Sequence, residues 1–334
     1  MRNLRLASLV LMGVGALAGC SAIEDGGDFA DGSAASQGQA TIEPGTLTAG
    51  AWDDNRNFDF FEAYLAEHVD LPDQPPLPDS LRLAAHDAFA GERPAAHSLD
   101  IAFVVDNTGS MGDEIDYLKV EFASIASRVE AEHPDVPIRW ATIAYRDFSD
   151  DFVVRASDFS SDPSVAAASL ASMSAEGGDD YPEAVAAALS ATNGLDWQSD
   201  GRLVFWIADA PHHSGEEASV AASLTLANTS GIHIYPVASS GVDELTELTM
   251  RSAAQLTGGR YLFLTDDSGV GGEHKEPSLP CYFVTKLDDA VTRMVSIEVS
   301  GSYEEPASED ILRTGGDPSD GACQLEDGSV VVAF

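Results

Sequence analysis

The chain has 334 residues and an apolar content of 44%, which is enough for one large domain or two modest ones. Its 56 acidic residues outnumber 17 basic ones and give a net charge of −39, which argues against binding to nucleic acid and against binding to anionic lipid through basic patches. Most of these carboxylates are expected to form a solvated acidic surface rather than to bind ligands.

The first twenty residues combine a short basic start with an apolar stretch that ends in a cysteine. The apolar stretch has only about a dozen residues, which is too short to span a bilayer comfortably. The run LAGC at 17–20 resembles the lipobox of bacterial lipoproteins, a family in which the signal is cut before the cysteine and the cysteine is acylated. The resemblance implies a signal peptide over 1–19 and lipidation of Cys20. The alternative is a plain secretory signal that happens to contain a cysteine.

The residues that follow predict a tether and a docking segment. Because Ser21 and not Asp follows the cysteine, the lipoprotein resemblance favours the outer membrane or cell surface, with the lipid anchor as the only membrane contact. Residues 20–50 are rich in small and polar residues without an apolar period, which predicts a flexible linker. Residues 51–97 are expected to dock on the next domain through a short amphipathic helix, with one short strand over 80–88.

From residue 98 the apolar pattern alternates between strand and helix periods. Strands are predicted at 101–105, 138–145, 152–154, 203–208, 232–237 and 261–264, the last of the sheet, and helices at 113–129, 165–173, 182–189, 216–227, 242–256 and 282–295. This alternation predicts an α/β fold, doubly wound, with a mostly parallel central sheet and helices on both faces. Residues 299–334 form a C-terminal tail, in which 330–332 could add one strand at an edge.

The most informative motif follows the first predicted strand of this domain, at 106–111 (DNTGSM). Asp106, Thr108 and Ser110 lie on a strand-to-helix turn, where ligand sites form in open α/β sheets. Oxygen-only donors suit a hard cation, Mg²⁺ or Ca²⁺. The motif resembles that of the von Willebrand factor A (VWA) family, whose metal-ion-dependent adhesion site carries Asp-x-Ser-x-Ser here. The alternative is a Ser/Thr turn with an Asp cap and no metal.

The VWA resemblance covers about residues 98–298 and implies a VWA/Rossmann-like fold with two further ligand loops. The loop at 177–183 (GGDDYPE) places Asp180 where the family has a Thr ligand, although Asp179 or Glu183 could be the donor, or an Asp could merely cap the helix. Asp209 ends a predicted buried strand, where an unpaired carboxylate would be costly. By resemblance, Asp106 and Asp209 would hold the metal largely through water, whereas Thr108 and Ser110 would touch it directly. Hydrogen bonds from loop amides to Asp209 are the alternative.

Two further features bear on chemistry and on compartment. His212 and His213, with Glu216 and Glu217 beyond them, could form a zinc site, but adjacent histidines usually point apart, which favours local hydrogen bonds. No established catalytic motif is present in the sequence, so we expect no enzyme activity. Cys281 and Cys323 are an even pair in a chain expected in an oxidising compartment, which predicts a disulfide between them.

Together these features predict a lipid-anchored protein of the cell envelope that binds an unknown protein ligand through Mg²⁺ or Ca²⁺, without nucleic acid. An acidic or oxygen-bearing group of that ligand would take the open position on the ion. Two alternatives come from other classes: a structural envelope protein whose ion serves only rigidity, and a zinc-dependent hydrolase that uses His212 or His213.

Overall fold

A computed structural model describes residues 43–52, 54, 56–68, 80, 84, 85, 93–178 and 180–332. The predicted signal peptide, Cys20 and the linker up to residue 42 lie outside the described residues. So does most of the strand expected over 80–88, and residues 80, 84 and 85 are helical instead. All described residues belong to one unit that spans Thr41–Phe334. No helix among them is long and apolar enough to cross a membrane.

A nine-stranded sheet lies at the centre of the described part of the chain. In chain order its strands are Thr48–Trp52 (β1), Leu99–Asp106 (β2), Ile138–Tyr145 (β3), Val154–Ser160 (β4), Gly201–Ala208 (β5), His233–Ala238 (β6), Tyr261–Leu264 (β7), Tyr282–Lys286 (β8) and Arg313–Gly315 (β9). Their spatial order is β4-β3-β2-β5-β6-β7-β1-β8-β9. The run from β3 to β7 is parallel, and the flanking strands pair antiparallel. The predicted, mostly parallel central sheet is therefore confirmed.

Helices cover both faces of the sheet. Within the described residues they are Asn57–His68 (α1), Gly112–Glu132 (α2), Pro163–Ala171 (α3), Val185–Asn193 (α4), Glu217–Thr229 (α5), Glu244–Thr257 (α6) and Leu287–Ser300 (α7). Alternate residues of β2 face opposite ways, because side chains alternate along a strand. Phe103 belongs to an apolar cluster that includes residues of α2, α3 and α7, whereas Val104 belongs to one that includes residues of α4, α5 and α6. This distribution confirms the doubly wound architecture.

The N-terminal boundary of the domain differs from the prediction. Residues 48–50 were expected in the flexible linker, but β1 lies inside the sheet between β7 and β8. Its sequence, TAGAW, has no apolar period because small residues are needed there: a Cβ on Gly50 would overlap the ring of Phe263. The predicted docking segment contains the helix α1, whose Phe61 packs against Leu248 of α6.

The C-terminal part also differs from the prediction. The helix expected over 282–295 is wrong in its first turn, since residues 282–286 form β8 and the helix begins at Leu287. The strand β7 is therefore not the last of the sheet. Val330–Val332 (β11) pairs with Ala322–Gln324 (β10) in a separate two-stranded sheet rather than at an edge of the main one. The predicted disulfide between Cys281 and Cys323 is confirmed, and it ties this tail to the domain.

Candidate metal-binding site at the carboxyl end of the sheet

The candidate site is built where two neighbouring parallel strands end. β2 ends at Asp106, and β5 ends one residue before Asp209. The two strands pair in register, with Val105 opposite Ile207, so both carboxylates leave the sheet at the same edge. After Asp106 the chain makes a short 3₁₀ turn over Gly109–Met111 and enters α2. The topology thus brings together two loops that are distant in sequence.

The first loop folds around one carboxylate oxygen. Asp106 Oδ1 accepts hydrogen bonds from the backbone N of Thr108 at 3.1 Å and from its Oγ1 at 2.7 Å. Thr108 Oγ1 also lies 3.4 Å from Ser110 Oγ, and Ser110 is hydrogen-bonded to Asp209. Asp106 and Thr108 are buried, whereas Ser110 is exposed. Four of the residues predicted to bind a metal therefore form one connected chain of oxygens that reaches the surface.

Three carboxylate oxygens at this place make no hydrogen bond with any described residue. They are Asp106 Oδ2, Asp209 Oδ1 and Glu183 Oε2. Their residues are 0, 3 and 2% exposed, so water does not reach these side chains freely. A buried polar atom without a partner is costly and rare in folded proteins. Three such oxygens beside two hydroxyls fit a hard cation, because Mg²⁺ and Ca²⁺ bind oxygen ligands.

The pKa values of these three carboxyls are all raised by the same burial. Burial, together with the charge of Asp209, raises the pKa of Asp106 from 3.8 to about 7. Burial raises the pKa of Asp209 to about 6 against the Ser110 hydrogen bond, with a further contribution from Glu114. Burial and then the charge of Asp106 raise the pKa of Glu183 to about 9. The protein alone therefore resists ionising these groups together, and a bound cation would favour their charged forms.

The second loop presents Glu183 to the site, whereas Asp180 is exposed. The helix predicted from residue 182 starts only at Val185, and the backbone N of Glu183 donates to Pro211 O at 2.8 Å. That bond holds Glu183 beside the third loop. Gly178, at φ +72°, brings the second loop against the first, and a Cβ there would come within 2.7 Å of Glu183 Oε1 and 3.0 Å of Thr108 Cβ. Asp179 lies outside the described residues.

Carboxylates alone do not complete a metal site here. Across residues 43–332, so far as the structure describes them, no three His, Cys, Asp or Glu side chains form a group ready to hold an ion. The candidate site depends equally on the hydroxyls of Thr108 and Ser110, which is the mixture that the motif at 106–111 predicts.

A model of the von Willebrand factor A domain family matches residues 100–269, just over half of the chain. The chain belongs to this family. The matched region runs from β2 to the turn after β7 and includes all three loops of the candidate site.

Individual relatives match only part of this chain and a smaller part of their own length. The chain is 31% identical over 143 residues to the alpha-protein kinase vwkA of Dictyostelium discoideum, covering 42% of this chain and 23% of that one. It is 33% identical over 120 residues to a putative ariadne-like RING finger protein of Acanthamoeba polyphaga mimivirus, covering 36% and 12%. The chain thus spans less than a quarter of the length of either relative.

Solved structures that resemble this VWA protein are distant. The conserved hypothetical protein BatB of Bacteroides thetaiotaomicron is 15% identical, with a TM-score of 0.41, and the match covers 60% of this chain and 99% of that one. A von Willebrand factor type A protein of Catenulispora acidiphila is also 15% identical, with a TM-score of 0.30 and coverage of 49% and 43%.

The two histidines beside the VWA site point to different partners. His212 is buried, its Nδ1 lies 3.3 Å from Thr249 Oγ1, and burial lowers its pKa. His213 Nε2 lies 2.5 Å from Asp147 Oδ1, and its ring packs against Phe148. These local hydrogen bonds match the behaviour expected of adjacent histidines.

An open cleft of about 610 Å³ adjoins the candidate VWA site. Ser110 and Asp209 lie in its wall, together with Tyr181, Ser240 and the loop around His274. Tyr181 Oη donates to Gly241 O at 2.9 Å and so bridges two of these loops. The cleft gives a ligand access to the exposed hydroxyl of Ser110, beside the buried Asp209.

Sequence reasoning missed three residues of this neighbourhood: Glu114, Tyr181 and His274. Glu114 is buried and accepts hydrogen bonds from the backbone N and the hydroxyl of Ser240. Its position could have been inferred, since it lies four residues before Leu118 and therefore on the buried face of α2. No local signal marks Tyr181 or His274, because their roles depend on loops that meet only in the fold.

Proposed function

We propose that this VWA protein binds a protein partner through a divalent cation, Mg²⁺ or Ca²⁺, held at the carboxyl end of the sheet. The single observation that supports the proposal most is the set of three buried, unpaired carboxylate oxygens, on Asp106, Asp209 and Glu183, beside the hydroxyls of Thr108 and Ser110. VWA domains are typically protein-interaction modules, and a cation would remove the cost of these oxygens.

The candidate ligands would contact the ion in different ways. Thr108 and Ser110 would contact it directly, and Asp106 and Asp209 would act largely through water. Glu183 is the best-placed donor of the second loop because its carboxylate is buried beside Asp106, whereas Asp180 is exposed and could act only from the rim. An acidic or oxygen-bearing group of the partner would take the open position, reached through the cleft that Ser110 and Asp209 line.

The same proposal places the protein in the cell envelope. The lipobox-like run at 17–20 would anchor it through acyl chains on Cys20, at the outer membrane or cell surface. The confirmed disulfide is consistent with an oxidising compartment. Replacing Cys20 by Ala should move the protein from the membrane fraction to the soluble fraction, and unchanged fractionation would contradict the anchor.

Cation binding is tested by thermal unfolding after removal of divalent ions with a chelator. Mg²⁺ or Ca²⁺ at about 100 times its dissociation constant should stabilise the fold by about 2.7 kcal/mol, because it binds only the folded state. Asp106→Ala should abolish this gain. Asp116→Ala removes an equal charge from an exposed position on α2 and should leave the gain intact. A gain that survives in Asp106→Ala would reject the site.

Partner binding is tested with immobilised wild-type and Asp106→Ala protein, with and without chelator. Capture that needs both the cation and Asp106 would support a cation-dependent interaction. Identical partners under all four conditions would favour the structural alternative, in which the ion serves only rigidity.

The zinc-hydrolase alternative is weaker, because His212 and His213 hydrogen-bond to Thr249 and Asp147. Stoichiometric zinc in the purified protein would favour this alternative again.

A further inference from the structure

A second pocket lies on the other side of the first loop, between α3 and the edge formed by β3 and β4. We call it the edge pocket; its volume is about 170 Å³. The polar and aromatic residues that matter in its lining are Asn107, Arg146, Phe152, Arg155, Ser157 and Ser169. Its volume suits a small molecule or ion rather than a peptide. The pocket is separate from the proposed cation site.

Two guanidinium groups share one aromatic ring in this pocket. The Cζ atoms of Arg146 and Arg155 lie 4.8 Å and 3.8 Å from the centroid of the Phe152 ring. Cation–π contact holds both groups in place. Both positive charges therefore lie against one ring in the pocket, and an anion beside them would relieve their repulsion.

Neither arginine is neutralised well by the protein. Arg146 is buried and donates to two backbone carbonyls, Asn107 O at 3.1 Å and Ser174 O at 2.7 Å. The carboxylate of Glu176 lies 3.7 Å away, but it is 67% exposed and therefore strongly hydrated. Arg155 makes no ion pair with a carboxylate among the described residues. In a chain with 56 acidic and 17 basic residues, an unpaired arginine in a pocket favours an anionic ligand.

A buried acceptor adds a second requirement. Asn107 is 2% exposed and lines the pocket; its Nδ2 donates to Ser174 O at 2.9 Å, while its Oδ1 makes no hydrogen bond with any described residue. An acceptor buried without a donor is costly, so a ligand that brings a hydroxyl would be favoured. The hydroxyls of Ser157 and Ser169 in the wall can donate to or accept from the same ligand.

We propose that the edge pocket binds a small oxyanion that also carries a hydroxyl group. The anionic oxygens would meet Arg155 and Arg146, and the hydroxyl would donate to Asn107 Oδ1. Hydrogen phosphate is the simplest probe of this chemistry, since it has both an anionic oxygen and a hydroxyl at neutral pH. Sulfate is its matched probe, because it has a similar shape and charge but no proton to donate.

The experiment is calorimetric titration of the full chain with phosphate and with sulfate, in chelator and at constant ionic strength. The chelator removes divalent ions, so the outcome is independent of the proposed cation site. Phosphate should bind saturably at one site per chain. Sulfate should bind more weakly, because it leaves Asn107 Oδ1 unpaired. Equal affinities would overturn the assignment of Asn107, and the absence of saturable phosphate binding would overturn the pocket.

Two charge-matched variants identify the site. Arg155→Gln should weaken phosphate binding by about tenfold or more, since it removes a charge-assisted contact. Arg155 is exposed, so its loss should leave the fold intact, which circular dichroism would verify. Lys286→Gln removes an equal charge from an exposed residue at the end of β8 and should bind phosphate as the wild type does. The same affinity in Arg155→Gln and wild type would refute the proposal.

Discussion

Two aspartates on one strand show opposite solutions to the burial of a carboxylate. Asp100 near the start of β2 and Asp106 at its end are both 0% exposed. Asp100 accepts hydrogen bonds from Arg139 at 2.6 and 2.8 Å and from Gln198 and Ser199 at 2.7 to 3.0 Å. Asp106 keeps one oxygen without any described partner.

The pKa values of the two carboxyls diverge accordingly. Burial alone would raise the pKa of Asp100, but its hydrogen bonds with Arg139 and Ser199 outweigh burial and lower it. At Asp106 burial and the nearby charge of Asp209 raise the pKa to about 7. The protein therefore supplies the counter-charge of Asp100 through Arg139, whereas a counter-charge for Asp106 would have to come from a bound cation. The contrast separates a structural carboxylate from a candidate ligand on a single element.

The largest expected effect is on the free energy of unfolding, and it comes from replacing Asp100, whose oxygens are hydrogen-bonded within the protein. Asp100→Ala should cost about 3–5 kcal/mol of unfolding free energy, because it breaks a buried ion pair and leaves two backbone N–H groups unpaired. Urea denaturation, with or without divalent cation, measures the loss. It should be the same in both conditions, since Asp100 lies at the opposite end of β2 from the candidate site. A loss below about 1 kcal/mol would mean that water reaches this end freely and would weaken the contrast.

The dependence of stability on pH should distinguish Asp100 from Asp106, because the two carboxyls change stability in opposite directions. Asp106 and Asp209 have folded pKa values of about 7 and 6, above 3.8, so the folded state binds more protons than the unfolded state in this window. In chelator, stability should therefore fall between about pH 4 and pH 7, by about 1.4 kcal/mol per pH unit for each carboxyl that is protonated in the folded state and ionised in the unfolded state. Asp100, whose pKa is lowered, contributes stability above about pH 4 that is lost as the pH falls further.

Unfolding measured at several pH values, with chelator and with saturating Mg²⁺, checks this profile. The cation should flatten the fall between pH 4 and pH 7, because it keeps the folded carboxylates ionised. Asp106→Asn should flatten much of the same fall without any cation, whereas Asp116→Asn should leave it unchanged. A chelated wild type whose stability rises toward pH 7 would contradict the raised pKa values.

The smallest expected effect is on cation affinity, and it distinguishes Glu183 from Asp180 as the donor of the second loop. Glu183→Gln should weaken cation binding by about tenfold, since it removes a buried charge beside Asp106, and Asp180→Asn should weaken it by less than about threefold. Calorimetric titration with Mg²⁺ and Ca²⁺ compares the two variants, which remove equal charge. The reverse order of effects would return the role to Asp180, as the motif alone suggested.

Local pattern was enough to predict most of the fold. The spacing of Ile115, Leu118, Phe122 and Val129 predicted α2, and continuous apolar runs predicted β2 and β5, because each pattern reflects burial within one element. β1 could not be predicted, since its small residues are explained only by the Phe263 ring of a distant strand. β8 was missed because a helical stretch follows it directly and its pairing with β1 is non-local.

The site was predictable to the same extent. Asp106, Thr108, Ser110 and Asp209 were predicted from their places after buried strands and from the VWA resemblance. The structure brings these four together, and their binding of a metal stays a prediction. The burial of Glu183 was not predictable, because it depends on a backbone hydrogen bond to Pro211 from another loop. The edge pocket was missed for a similar reason: Arg146 and Arg155 lie on different segments and meet only at the ring of Phe152.

The interior position of β1 has a mechanical consequence. Tension on the N-terminal segment enters the domain along β1, which is hydrogen-bonded on both sides, to β7 and to β8. Hydrogen bonds between strands run across the strand axis, so a pull along that axis strains both ladders in shear and does not unzip them one bond at a time. Because β1 is antiparallel to β7, it begins at the carboxyl edge of the sheet, the edge that carries the candidate site, so force applied to the residues before β1 would load both ladders from that edge.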